Sequence, residues 1–433
     1  MNRFSFIVSA FLFLFSLTQI SAQKIIAGPM KGYLAMKEAA IWLQTDKPSK
    51  VQIKYWDTKN PVKKLYTKIV ETDKEMANTV QVALEDLEIN TEYEFIILLN
   101  NVAVKPKYEQ KLKTKDLWKY RTDAFDFSFV TGSCNYVNET KYDRPGTPYG
   151  GEHQIFEQMA ERKADFMIWL GDNTYLREPD WDSKSGILHR YTHTRQLPEM
   201  QKFLINTHHY AIWDDHDYGP NDSERSFYLK DVTLNVFKSF WANPNYGVGD
   251  SRGITGFFDW SDCDFFLIDD RTFRSPKGDD GEILGQKQLS WFTESIKQST
   301  AKFKFIAIGT QVLNSAVKVE NLINYKKEYS SLIDTLDKYN ISGVIFLTGD
   351  RHHSEVSKYT TADGDVFHDF TVSPLTSGIA TAKGEINEYQ VPGSLIEVRN
   401  FAEFKVLGDK NNRRVEVKFF DSAGKEIYQY EVK

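Results

Sequence analysis

MIWLGDNTY (Met167 to Tyr175) decides how this chain is read: a continuously apolar run breaks at Gly171, and Asp172 and Tyr175 follow at once. A short apolar run bounded by a turn signal reads as a strand buried on both faces, as in parallel sheets. YAIWDDHDYGPND (Tyr210 to Asp222) and VIFLTGDRHHSE (Val344 to Glu355) repeat the pattern, and FSFVTGSCNY (Phe127 to Tyr136) ends on the lone Cys134. Each run delivers acidic, imidazole or thiol side chains at its carboxyl end, where open α/β sheets bind ligands.

Around these runs, helical and strand-like patterns alternate. HQIFEQMAERK (His153 to Lys163) has helical spacing at Ile155, Phe156 and Met159, and the apolar run DFMIWL follows directly. A similar helix is expected over Leu229 to Trp241, and another through Leu332, Ile333 and Leu336. DFFLIDD (Asp264 to Asp270) and KFIAIG (Lys304 to Gly309) read as further strands, and RVEVKFF and EIYQYEV near the carboxyl terminus as alternating strands that complete a second sheet. The expectation is α/β architecture. By contrast, residues 24 to 121 alternate as all β, and Leu87 with Tyr93 six positions on resembles the corner of a fibronectin type III sandwich. The division expected is therefore a small β-sandwich over 24–121 and a catalytic domain over 122–433, joined through the charged segment Lys111 to Asp123. Arg177 to Pro198 reads as a long irregular insertion, either functional or a surface excursion packed by its aromatics.

Composition excludes several classes. With 433 residues, 41% hydrophobic and 26% charged, most of the chain is globular rather than disordered. The net charge of −6, with no basic stripe, argues against duplex nucleic acid. Arg3, an apolar core from Phe6 to Leu17 and the small residues Ser21 and Ala22 read as a secretion signal over 1–22, the core being too short for the ~20 residues of a spanning helix. A periplasmic or secreted protein is expected, with no transmembrane helix after signal removal, working as a monomer. Cys134 and Cys263 are the only cysteines, which excludes a disulfide framework; pairing between them competes with a ligand role for Cys134.

The residue types at the strand ends suit a pair of cations. Asp172 has two oxygens with which to bridge metals, and a tyrosinate such as Tyr175 suits Fe(III) better than Mg²⁺. Asp214, Asp215, His216 and Asp217 come in succession and would be costly to bury unpaired. Asp350 and His352 alternate along extended backbone, so both can face one metal. A single Gly-Asp corner is an ordinary turn; three strands ending this way, with a fourth ending in cysteine, are hard to explain as core packing.

These motifs, GSCNY at Gly132, GDNTY at Gly171, WDDHDYGPND at Trp213, DDRTFR at Asp269 and GDRHH at Gly349, resemble those of PhoD-like alkaline phosphatases, relatives of the calcineurin-like and purple acid metallophosphoesterases. The resemblance spans about Phe125 to Glu403, and the amino-terminal sandwich resembles the domain that precedes the catalytic one in that family. It implies a two-sheet sandwich flanked by helices. It also implies that Cys134, Asp172, Tyr175 and His352 hold Fe³⁺, with Asp172 bridging to a second metal on Asp215 and Asp350. Oxygen ligands there suit Ca²⁺, and Asn221 is a further ligand candidate on that side. His216 reads as proton donor to the leaving oxygen or stabiliser of the transition state, with Asp217 orienting its ring, or else as a structural histidine; the resemblance favours the catalytic role. Arg271 and Arg274, which follow the strand ending at Asp269, read either as forks for phosphate oxygens or as partners in surface salt bridges. The run IAIGTQVLNS (Ile306 to Ser315) lacks the histidine of the wider superfamily, so Gln311 reads as a supporting or substrate-facing group or an ordinary loop amide, and Cys263 as structural.

The function expected is an exported, metal-dependent phosphoesterase acting on phosphomonoesters or phosphodiesters, for which scavenging of phosphate is the purpose. A diesterase or phospholipase working on lipid or wall polymer is a second enzyme reading. A surface binding module with structural metals is a third, opposed by His216, for which a closed structural site has no use.

Overall fold

The computed structural model describes residues 23–249, 251–277, 280–316 and 320–433; the expected secretion signal lies outside them. Two sheets face each other. The first has nine strands in the order Glu426–Val432, Arg414–Asp421, Asn400–Leu407, Phe127–Gly132, Phe166–Leu170, His208–Ile212, Ile25–Leu34, Ala39–Thr45 and Thr79–Leu84. The second has six, in the order Gly256–Trp260, Cys263–Leu267, Phe303–Ala307, Val344–Thr348, Val366–Thr371 and Glu355–Thr360. The apolar runs are parallel to one another in the middle of each sheet, as continuous hydrophobicity requires of strands covered on both faces.

Side chains alternate across the pleat, and the alternation builds two cores. Phe129, Phe166 and Phe404 from the first sheet meet Phe265 and Phe305 from the second, with Phe129 stacked on Phe404 at 4.8 Å and edge-on to Phe305 at 5.1 Å. One residue along each strand, Phe266, Ile306 and Phe346 point the other way. They are covered by the helices Gln286–Gln298 and Lys326–Lys338 through Leu289, Phe292, Leu332 and Leu336. The helix Ile155–Glu161 covers the outer face of the first sheet, and Lys230–Phe240 follows the expected helix closely.

Three expectations change in detail. The carboxyl-terminal strands do not complete the second sheet but extend the first one, Asn400–Leu407 pairing antiparallel to Phe127–Gly132 and the last two strands adding outside it. Residues 178–195 of the expected irregular insertion are mostly regular: a 3₁₀ turn at Glu178–Asp180 and a helix at Lys184–Arg195, capped by the Ser183 hydroxyl accepting from the Gly186 N–H at 3.2 Å. That helix buries Ile187, Arg190, Tyr191, Thr194 and Arg195, so its inner face mixes apolar and polar residues and gives a periodicity argument no apolar stripe to find. Finally, the amino-terminal strands do not stand apart. Lys31 pairs with His208 in the first sheet, Trp42 Nε1 donates to Ser239 O at 2.7 Å, and Gln81 Nε2 donates to Trp241 O at 2.8 Å. The remaining strands of that region form a third sheet closed by the expected corner, in which the Tyr93 hydroxyl accepts from the Glu88 N–H at 2.8 Å over buried Leu87.

Candidate metal centre

Where the central strands of both sheets end, the chain turns abruptly, and the turns set the donors. Cys134, Asp172, Asp350 and His352 all have positive φ, between 51° and 64°. Non-glycine residues avoid this region, and such strain gathers at sites whose geometry the surroundings dictate. Gly171 stands at φ 91°, and a Cβ there would lie 2.5 Å from that of Asp214. A Cβ on Gly309 would lie 2.6 Å from the Asp214 carboxyl carbon, so these two glycines give the acidic turn room to tuck under the neighbouring strands.

Possible ligand atoms come together in overlapping groups, each within 4.8 Å: Cys134, Asp172 and His352; Asp172, Asp215 and His216; Asp214, Asp215 and Asp350. The Tyr175 hydroxyl is 3.2 Å from His352 Nε2 and joins the first group. Asp172 is common to two groups, as a bridging ligand must be. Burial, then Asp215 and Cys134, push the Asp172 carboxyl far above the usual range, and burial lifts the Cys134 thiol to about 11. Burial with Glu320 and Asp215 raises Asp350 as well. Asp215 goes the other way: burial opposes its charge, but His216, Arg271 and the Asp222 N–H outweigh burial. Asp215 Oδ1, Asp214 Oδ2 and His216 Nδ1 are buried without a hydrogen-bond partner. Packed anionic donors with orphaned oxygens fit cations, whose binding would release protons and satisfy those atoms.

Most of the expected site residues meet here, but three do not take the role expected of them. Asn221 is exposed, and its neighbour Asp222 is the residue grouped with Asp215 and Glu320. Asp217 is buried, but its oxygens accept from the backbone N–H groups of Asn173, Thr174 and Asp214, each at 3.1 Å, so it locks two turns together rather than orienting the His216 ring. Arg271 is fully buried and already engaged, its Nε donating to Asp214 at 2.5 Å and its Nη2 to Glu320 at 3.0 Å; Arg274 shares Glu320. A guanidinium so occupied neutralises the acidic turn and has no fork left for phosphate. Gln311 is a buried supporting group, donating to Glu355 and Thr371 at 2.8 Å and accepting from Arg351. Cys134 and Cys263 are both free thiols, which leaves the former available as a ligand.

Sequence reasoning missed Glu320, which sits in a loop without motif context, and Ser373, whose hydroxyl donates to Cys134 Sγ at 3.2 Å and accepts from the His352 N–H at 2.9 Å. It also missed Tyr149, with its hydroxyl 3.0 Å from His352 Nδ1. His216 lies at the centre: its backbone N–H donates to Asp172 at 3.2 Å and its ring lies 4.2 Å from that of Tyr175, centre to centre.

Two face-to-face sheets thus gather thiol, carboxylate, phenol and imidazole groups at their strand ends. A family model described as PhoD-like phosphatase matches residues 129–419, and one for a domain of unknown function matches residues 22–117. The chain belongs to the PhoD-like phosphatase family and is a hydrolase of phosphoric esters. Its fold is similar to that of a solved PhoD structure, at 14% identity and TM-score 0.75, over 94% of this chain and 92% of that one. It is also similar to a purple acid phosphatase from yellow lupin (Lupinus luteus) seeds, at 10% identity and TM-score 0.67, over 93% of this chain and 73% of the other. No curated protein matches the chain.

Proposed function

We propose that the chain is an exported bimetallic phosphoesterase that hydrolyses phosphomonoesters and phosphodiesters with Fe³⁺ and Ca²⁺ as cofactors. The observation that carries this reading is the set of four ligand-type residues at positive φ, whose donors fall in neighbouring ligand groups linked through Asp172 and Asp215. Tyr175 offers a hard, anionic phenolate oxygen suited to Fe³⁺, with Cys134 and His352 beside it, while Asp215 and Asp350 offer oxygens that suit Ca²⁺, with Asp172 shared between them. Bound there, the two cations would supply activation of a water nucleophile and neutralise charge on the phosphoryl oxygens.

The chain's own residues do the rest. Arg271 holds Asp214 neutralised behind Asp215, so that the second-metal oxygens are presented without competing charge. His216 has a half-buried ring packed on Tyr175 and an Nδ1 atom that no protein group uses; it carries the proton to the leaving oxygen. Among the described residues no helix is long and apolar enough to cross a membrane, and the apolar Phe6 to Leu17 core supports export to the periplasm or medium. The donor groups all come from one chain, in keeping with a monomer as the working unit. Substrates are small-molecule phosphate esters, and scavenging of phosphate is the purpose this reading favours over cleavage of lipid or polymer.

The test is hydrolysis of a chromogenic phosphomonoester and the matching diester by the metal-loaded mature protein and by His216→Gln. Turnover by the wild type with a monoester preference supports scavenging, and a diester preference points to lipid or polymer. His216→Gln is expected to lower kcat about 10² to 10⁴-fold, the usual contribution of a positioned proton donor. Wild-type turnover of neither ester would sink the reading, and an unimpaired variant would remove His216 from the mechanism.

A further inference from the structure

Tyr149 is 45% exposed, although it sits among the most buried groups of the centre. Its hydroxyl oxygen lies 3.0 Å from His352 Nδ1, and the same nitrogen lies 2.7 Å from Gly378 O and 3.3 Å from Ser377 Oγ. A carbonyl only accepts, so Nδ1 carries the imidazole proton. Two consequences follow from that one assignment. His352 Nε2 is the unprotonated nitrogen, and it faces Tyr175 and the donor cluster. The Tyr149 oxygen receives from Nδ1–H, so the phenol's own proton is not taken up by His352 and is free for another acceptor.

The ring is held as firmly as the hydroxyl. A Cβ on Gly378 would come within 2.5 Å of it, so glycine is what allows the backbone to lie against the ring. It stands edge-on to Tyr136, at 4.9 Å and 74°, and to Tyr175, at 6.4 Å and 65°. Next to Gly378, Ile379 is likewise 45% exposed. A pinned, half-open aromatic one imidazole away from the donor cluster has little rotamer freedom to lose when a ligand packs on it.

We propose that Tyr149, with Ile379 beside it, is the specificity wall that receives the alcohol part of the ester, so that aryl and other flat apolar phosphate esters are favoured over small alkyl ones. The ring packs against the leaving group, and the free phenolic proton is available to an oxygen on it. This rests on the phosphoesterase reading of the centre.

The experiment compares kcat/KM for phenyl phosphate and methyl phosphate in the wild type, Tyr149→Ala and Tyr149→Phe, with the metal content of each preparation measured. For Tyr149→Ala the preference for phenyl over methyl phosphate is expected to fall about ten-fold, equivalent to about 1.4 kcal/mol, through KM for the phenyl ester. Tyr149→Phe keeps most of that preference because it keeps the ring. Equal losses for both esters, especially with lowered metal content, would show that Tyr149 acts only through His352 and overturn the inference; so would an unchanged preference. A wild type inert on both esters would instead defeat the phosphoesterase reading, so the two failures are distinct.

Discussion

Asp214, Arg271 and Glu320 form a buried charge network behind the centre. Both side chains of the Asp214–Arg271 pair are wholly buried, and Glu320 closes the network from the far side. Breaking a buried pair from one side strands its partner's charge, at a cost of about 3–5 kcal/mol. Arg271→Met is therefore expected to lower the thermal midpoint by several degrees, whereas a phosphate-binding arginine would raise KM and leave the midpoint in place. Parallel melting curves for variant and wild type, with KM raised, would restore the role expected from the motif. At this scale the sequence told most where residue type and chemistry coincide. Cys134, Asp172, Tyr175, Asp215, Asp350 and His352 could be named because core packing alone does not place such groups together at buried strand ends. Arg271, Asp217 and Asn221 could not be placed correctly, because a motif carries position along the chain and not what each side chain faces once folded. Glu320 and Ser373 come from loops whose approach only the tertiary fold decides.

The strand His208–Ile212 carries a pH dependence of its own, outside the metal centre. Its first two residues are imidazoles buried in the sheet: His208 Nδ1 lies 2.8 Å from Gly32 O, and His209 Nδ1 accepts from Trp169 Nε1 at 3.0 Å. Burial drives the His209 pKa down to about 3 and that of His208 well below its ordinary value. Both are neutral in the fold and gain protons when the chain unfolds. The sign follows: their stabilisation is complete above the unfolded pKa of ~6.5 and is lost as pH falls below it, by about 2 kcal/mol for His209 at pH 5. Thermal midpoints measured from pH 7.5 to 5 should fall more steeply for the wild type than for His209→Gln; identical slopes would contradict the assignment. The run YAIWDDHDYGPND announced this strand through its apolar residues, and it hid the two histidines before it, since imidazoles at a strand start look like loop polarity. The helix Lys184–Arg195 was hidden for the converse reason: beside Ile187 and Tyr191 it buries the polar Arg190, Thr194 and Arg195, with Arg190 reaching Asp180 and Glu139, both at 2.8 Å.

For the molecule as a whole, the parallel apolar runs made the α/β plan legible, and period-two alternation made the amino-terminal sandwich legible. What sequence could not convey is that strands of both belong to one nine-stranded sheet, because sheet continuity depends on pairings such as Lys31 with His208 that no local pattern records. Ile41 and Trp42 from the amino-terminal strands share a core with Phe203, Phe240 and Trp241, so the sandwich braces the sheet that presents Asp172 and Asp215. The fold, the strained turns and the charge networks thus converge on the place where those turns meet, which is the cation site proposed above. The most direct test is the rate of phosphate release from a chromogenic ester before chelation, after chelation, and after iron and calcium are returned. The account predicts that activity disappears with the metals and comes back with them. A rate that survives complete removal of metal would contradict it.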